Sequence, residues 1–113
     1  MYKVIDVVKL LELEVIAGEG GLENPITGVY IGDLLSWVMA HLQAGNIWIT
    51  IQTHVNILAV ALLADAACVI IPEYAEIDHQ TIEKANDEGI PLLRSKFSAY
   101  QLAIKIKEHD LIK

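Results

Sequence analysis

The stretch NIWITIQTHVNILAVALLADAACVII, residues 46–71, decides the fold. Its opening alternates Ile47, Ile49 and Ile51 with Trp48, Thr50 and Gln52, the period-2 pattern of a strand. From Val55 to Ala64 the chain is apolar on nearly every side, the pattern of a helix covered by the sheet and by a second body. Cys68 to Ile71 then reads as a short buried strand. A strand, a helix and a strand in succession imply parallel pairing, because a helical crossover is what joins parallel neighbours.

Working toward the N-terminus, Val4, Val7, Val8 and Leu11 fall at i, i+3, i+4 and i+7 and predict a helix over 3–13. Glu14 to Ala17 reads as a strand, 18–25 as a turn-rich loop and Ile26 to Ile31 as a second strand. Asp33 is placed to cap a helix whose stripe is Leu34, Leu35, Val38, Met39 and Leu42, closed by Gly45, and Thr53 to cap the helix that follows it. Toward the C-terminus, Asp78 caps a helix stapled by Ile77 and Ile82 and stopped at Gly89. Pro91 to Leu93 reads as a strand, and Ser98-Ala-Tyr-Gln101 as a capping box with Phe97 and Leu102 as its staple. The order αββαβαβαβα predicts one α/β domain over 1–113, a three-layer α/β/α sandwich with a mostly parallel sheet of about five strands.

Composition narrows the function. Of 113 residues, 54% are apolar and 20% charged, which supports a real core and excludes intrinsic disorder. Net charge is −7, and no Lys or Arg occurs between Lys9 and Lys84, so clustered cations for nucleic-acid phosphates are missing. No apolar run approaches the roughly 18 residues of a membrane span, and no secretory leader is visible. A lone Cys68 inside an apolar run reads as an inert core thiol of a cytoplasmic protein. His41, His54, His79 and His109 stand too far apart for a local metal motif. The chain has no G-x-S-x-G, no C-x-x-C and no phosphate-binding G-x-x-x-x-G-K-[ST], and Gly18, Gly20 and Gly21 read as a turn. The expectation is therefore no cofactor, no metal and no kinase chemistry. The acidic pairs Glu12 with Glu14 and Glu73 with Glu76 read as surface carboxylates.

In parallel α/β sheets ligands bind beyond the carboxyl ends of the strands. The loops there supply Asp33 with Ser36, Thr53 with His54 and Asn56, Glu73 with Tyr74, and Ser95 with Lys96. The richest is 52–56, which places hydroxyl, imidazole and amide groups at a helix N-terminus able to accept an anion. Cap chemistry alone also accounts for Thr53 and Asn56 and leaves His54 as a solvated turn residue. The candidate ligand contacts are Thr53, His54, Asn56, Asp33 and Glu73. Two functions fit. One is a non-catalytic, homodimeric regulatory or adaptor domain that senses a small anionic ligand or docks on a partner kinase or redox enzyme. The other is a small enzyme built on Thr53, His54 and nearby carboxylates. The apolar 55–64 helix, with Trp37, Val38 and Trp48, is the area expected to form the homodimer.

Two stretches carry a resemblance. LEVIAGEGGLENPIT, residues 13–27, resembles the start of the N-terminal domain of HPr kinase/phosphorylase, and EGIPLLRSKFS, residues 88–98, resembles its end. The whole chain looks like a stand-alone DRTGG domain, a family also found inserted in CBS-domain pyrophosphatases and in front of some phosphotransacetylases. The resemblance implies an HPr kinase N-terminal-domain-like α/β fold, a regulatory or scaffolding role and a tendency to dimerise. It implies no kinase activity, because the phosphate-binding loop of that enzyme lies in its other domain. Where related domains carry a Gly-Asp-Arg type turn after the central strand, this chain has Gln52-Thr53-His54.

Overall fold

Strands β3 (Asn46–Ile49) and β4 (Cys68–Ile71) are buried at every residue. The computed structural model describes residues 1–112. In it the five strands are ordered β1-β5-β4-β3-β2, with β1 at Glu14–Ala17, β2 at Gly28–Ile31 and β5 at Leu92–Arg94. The pairs β2–β3, β3–β4 and β4–β5 are parallel, and β1 closes the far edge antiparallel to β5. The strand-helix-strand reading of 46–71 is therefore correct, and the sheet is mostly parallel with five strands.

Five helices cover both faces: α1 (Val4–Leu10), α2 (Leu35–His41), α3 (Asn56–Ala64), α4 (His79–Glu88) and α5 (Ala99–Glu108). The strand alternation sorts the core in two. Trp48, Val69, Ile71 and Leu92 pack with residues of α2, α3 and α4, while Ile47, Ile49, Cys68, Ile70 and Leu93 pack with residues of α1 and α5. Both side-chain sets of the central strands are apolar because both faces are covered. The layers are α2α3α4, sheet, and α1α5. A single 3-10 turn, Glu19–Gly21, sits inside the predicted 18–25 loop.

Local signals at the C-terminal half hold in detail. Ser98 accepts the amide of Gln101 at 3.2 Å, and the Gln101 side chain accepts the amide of Ser98 at 2.9 Å, completing the capping box. Gly89 ends α4 in the left-handed conformation at φ +66°. Three expected caps differ. Leu34 rather than Asp33 precedes α2, Val55 rather than Thr53 precedes α3, and Asp78 stands at the N-cap of α4 without a side-chain cap bond. Asp33 and Asp78 are held across the loops by their side chains instead, and Thr53 by its backbone carbonyl, as described below. Trp48 and Val38 are also fully buried, so of the residues expected at an interface only Trp37 and the outer side of α3 remain exposed.

Two consequences can be measured. Burial pushes the Cys68 thiol up to about 12 from an ordinary value of 9.0. Below the ordinary value the thiol is protonated in both states; above it the unfolded chain ionises while the folded chain stays protonated. Its stabilising contribution is therefore whole below about pH 9 and is lost as pH rises toward 12. Thiol reagents at pH 8 are expected to leave the folded protein unlabelled and to label it fully in urea; rapid labelling of folded protein would contradict this burial. Gly18 sits at φ +75°, and a Cβ there would stand 1.9 Å from the carbonyl oxygen of Ile90. Gly18→Ala is expected to cost about 1–3 kcal/mol or more in urea unfolding. Gly20→Ala, which meets nothing within 4 Å, is expected to stay within about 0.5 kcal/mol of the parent.

Candidate functional site

The four parallel strands deliver Ile31, Ile49, Ile71 and Arg94 to the same edge of the sheet, so the loops that follow them form one rim. Asp33 is the tie between two of these loops. Its Oδ1 accepts the Thr50 hydroxyl at 2.8 Å and the Ile51 amide at 2.9 Å, and its carbonyl accepts the Gln52 side-chain amide at 3.0 Å. A carboxylate in this position clamps the exit of β2 to the exit of β3. Asp33 and Glu73 line a shared depression of about 170 Å³ together with Ile31, Ile49, Thr50 and Pro72. With two carboxylates in its wall, that hollow suits a hydroxyl or a cationic group and repels an anion.

Thr53, His54 and Asn56 lie apart from that depression, and Thr53 and His54 are tied to α4 and its N-cap. The Thr53 carbonyl accepts the Thr81 hydroxyl at 2.7 Å, and His54 Nδ1 lies 2.7 Å from Asp78 Oδ2. Asp78 thus turns one oxygen to the imidazole and makes no side-chain bond to the amides of its own helix. The first turn of α3 is tightened by the amides of Ile57 and Leu58, which donate to the carbonyls of His54 and Val55. The structure thus splits the five predicted contacts into Asp33 with Glu73 on one hollow and Thr53, His54 and Asn56 on the α3–α4 side. The side chains of His54 and Asp78 are 69% and 49% exposed, so an incoming anion meets an imidazole already engaged by a carboxylate.

A third group, at the β5 end of the rim, was not assembled by sequence reasoning. Glu12, Glu14, Tyr74, Arg94 and Lys96 line a hollow of about 250 Å³. Antiparallel pairing sets Glu14 opposite Arg94, and Arg94 Nε and Nη2 donate to one Glu14 oxygen at 3.0 and 2.9 Å. The guanidinium lies 4.1 Å from the centroid of the Tyr74 ring. Tyr74 is aimed there by a turn in which Glu73 and Tyr74 both take positive φ, +59° and +53°, and their amides donate to the carbonyls of Phe97 and Ser95 at 2.8 and 2.7 Å. Tyr74 and Lys96 were visible as rim residues. The sequence holds no sign that Glu14, 80 positions from Arg94, would join them.

The described residues contain no cluster of three or more metal-ligating side chains, and no described helix is long and apolar enough to cross a membrane.

None of the curated proteins matches the chain. Among solved structures it is similar to the CBS and DRTGG domains of the regulatory region of Clostridium perfringens pyrophosphatase, complexed with the activator diadenosine tetraphosphate. The TM-score is 0.73 at 15% sequence identity, over 92% of this chain and 45% of that one. The chain thus spans less than half the length of that structure, and the likeness is one of fold. The family model of the DRTGG domain matches residues 6–109, and on that match the chain belongs to the DRTGG domain family.

Proposed function

We propose that the chain is a non-catalytic regulatory domain that acts as a homodimer and responds to a small anionic ligand at the 53–56 turn. The observation that carries this reading is the family match over 6–109, joined to a fold likeness with the regulatory region of the Clostridium perfringens pyrophosphatase. His54 and Asn56 supply the donors beside the start of α3, and the anion competes with Asp78 for the imidazole. Because that bond and the Thr53–Thr81 bond tie the turn to α4, taking His54 from Asp78 loosens one of the two ties. Asp33 remains a clamp and Glu73 an acidic wall, and neither is assigned a contact with the anion. An enzyme built on Thr53, His54 and these carboxylates has less support, since the His54–Asp78 pair is open to water, and acid–base catalysis gains from a water-excluding pocket.

The proposed dimer uses the outer side of α2 and α3, where Leu34, Trp37, Leu62 and Leu63 are exposed by half or more. An ordinary interface of about 1,600 Å² in total would cover such a face. Light scattering is expected to return the dimer mass for the parent and the monomer mass for Leu63→Asp, with native circular dichroism in both; a monomeric parent would overturn the assembly. For the ligand, calorimetric titration with diadenosine tetraphosphate is expected to show binding that weakens about fivefold in His54→Ala and tightens in Asp78→Asn. Asp78 makes no side-chain cap bond to α4, so the second variant removes none from that helix. Affinities equal in parent and both variants would place the anion elsewhere.

A further inference from the structure

The hollow formed by Glu12, Glu14, Tyr74, Arg94 and Lys96 belongs to neither the anion turn nor the proposed dimer face. Its charges do not all cancel internally. Arg94 and Glu14 satisfy one another and form a neutral wall against the Tyr74 ring. Glu12 and Lys96 are what remains. Both are exposed, and neither has an ion-pair partner among the described residues; the Lys96 ammonium stands 5.4 Å from the Phe97 ring centroid. An unpaired carboxylate and an unpaired ammonium that border one hollow without closing on each other are complementary to a ligand that brings both charges. The lining holds two carboxylates and two cations, so it offers a phosphate or polyphosphate no excess of positive charge. The Tyr74 ring, 60% of the residue exposed, offers an apolar surface beside the charges. Glu12 and Tyr74 also hold positive φ, +54° and +53°, a conformation that non-glycine residues keep only where the surrounding structure imposes it. A volume of about 250 Å³ lies below the range typical of drug-sized ligands and fits one small metabolite.

We infer that this hollow binds a zwitterionic α-amino acid with an apolar or aromatic side chain. The ligand's ammonium meets Glu12, its carboxylate meets Lys96, and its side chain lies against Tyr74. The site goes beyond the anion-responsive reading and does not depend on it.

The test is titration of the isotope-labelled full chain with L-phenylalanine, followed by amide chemical shifts. Phenylpropionate, which lacks the ammonium, phenethylamine, which lacks the carboxylate, and inorganic phosphate serve as comparison probes. Saturable shifts at 12–14, 73–75 and 94–97 are expected for L-phenylalanine, with each singly charged analogue weaker by about threefold or more. Glu12→Gln is expected to weaken phenethylamine but not phenylpropionate, and Lys96→Met the reverse; both positions are exposed, and the spectrum itself reports whether each variant is folded. The inference is overturned if millimolar L-phenylalanine leaves these amides unmoved, if the singly charged analogues bind as tightly, or if inorganic phosphate binds there more tightly. Diadenosine tetraphosphate, run separately and read at 53–56, reports on the anion turn alone, so the loss of one site is distinguishable from the loss of the other.

Discussion

Two-sided burial of β3 and β4 is the constraint on which the rest of this molecule depends. Ile47, Ile49, Cys68 and Ile70 face one core, and Trp48, Val69 and Ile71 face the other. A strand apolar on both faces is stable only between two layers, so helices must cover the sheet above and below. The largest of these side chains, Trp48, also links the core to the rim, because its indole Nε1 donates to the carbonyl of Gly32 at 2.9 Å in the loop that leads to α2. Burying the ring thus positions the loop that carries Asp33. Among the described residues no buried side-chain nitrogen or oxygen lacks a hydrogen-bond partner.

With the strands committed to packing, polar chemistry gathers where they end. The rim divides by charge into three parts: the Asp33–Glu73 hollow, the His54–Asp78 pair, and the Glu14–Arg94–Tyr74 assembly. An overall charge of −7 gives the few cations on this edge unusual weight. Arg94 is largely neutralised by Glu14, while Lys96 keeps its charge available. The Thr81–Thr53 bond ties the loop after β3 to α4.

Short-range features were legible in the sequence. The Ser98–Gln101 box, the Gly89 stop and the period-2 alternation of 46–52 concern residues within one turn or one strand of each other, and local geometry decides them, although the strand itself stops at Ile49 and leaves Ile51 exposed. The order of elements follows from the same patterns, as does the burial of Cys68. Strand order was not legible, because nothing in the chain marks which strand will pair with the N-terminal one.

The sequence by itself therefore determined the class of fold, the covered central strands and the edge of the sheet where polar groups collect. Tertiary structure alone decided what those groups do. Asp33, Thr53 and Asp78 each stand at a helix start, where a short polar side chain or its backbone can serve its own helix or a neighbouring loop at similar free energy. Asp33 took Thr50 and Ile51, Asp78 took His54, and Thr53 gave its carbonyl to Thr81, because the parallel sheet brings those partners within 2.7–2.9 Å. The meeting of Glu14 with Arg94 has the same origin: antiparallel closure by β1 makes neighbours of residues 80 positions apart, and no local pattern encodes that distance.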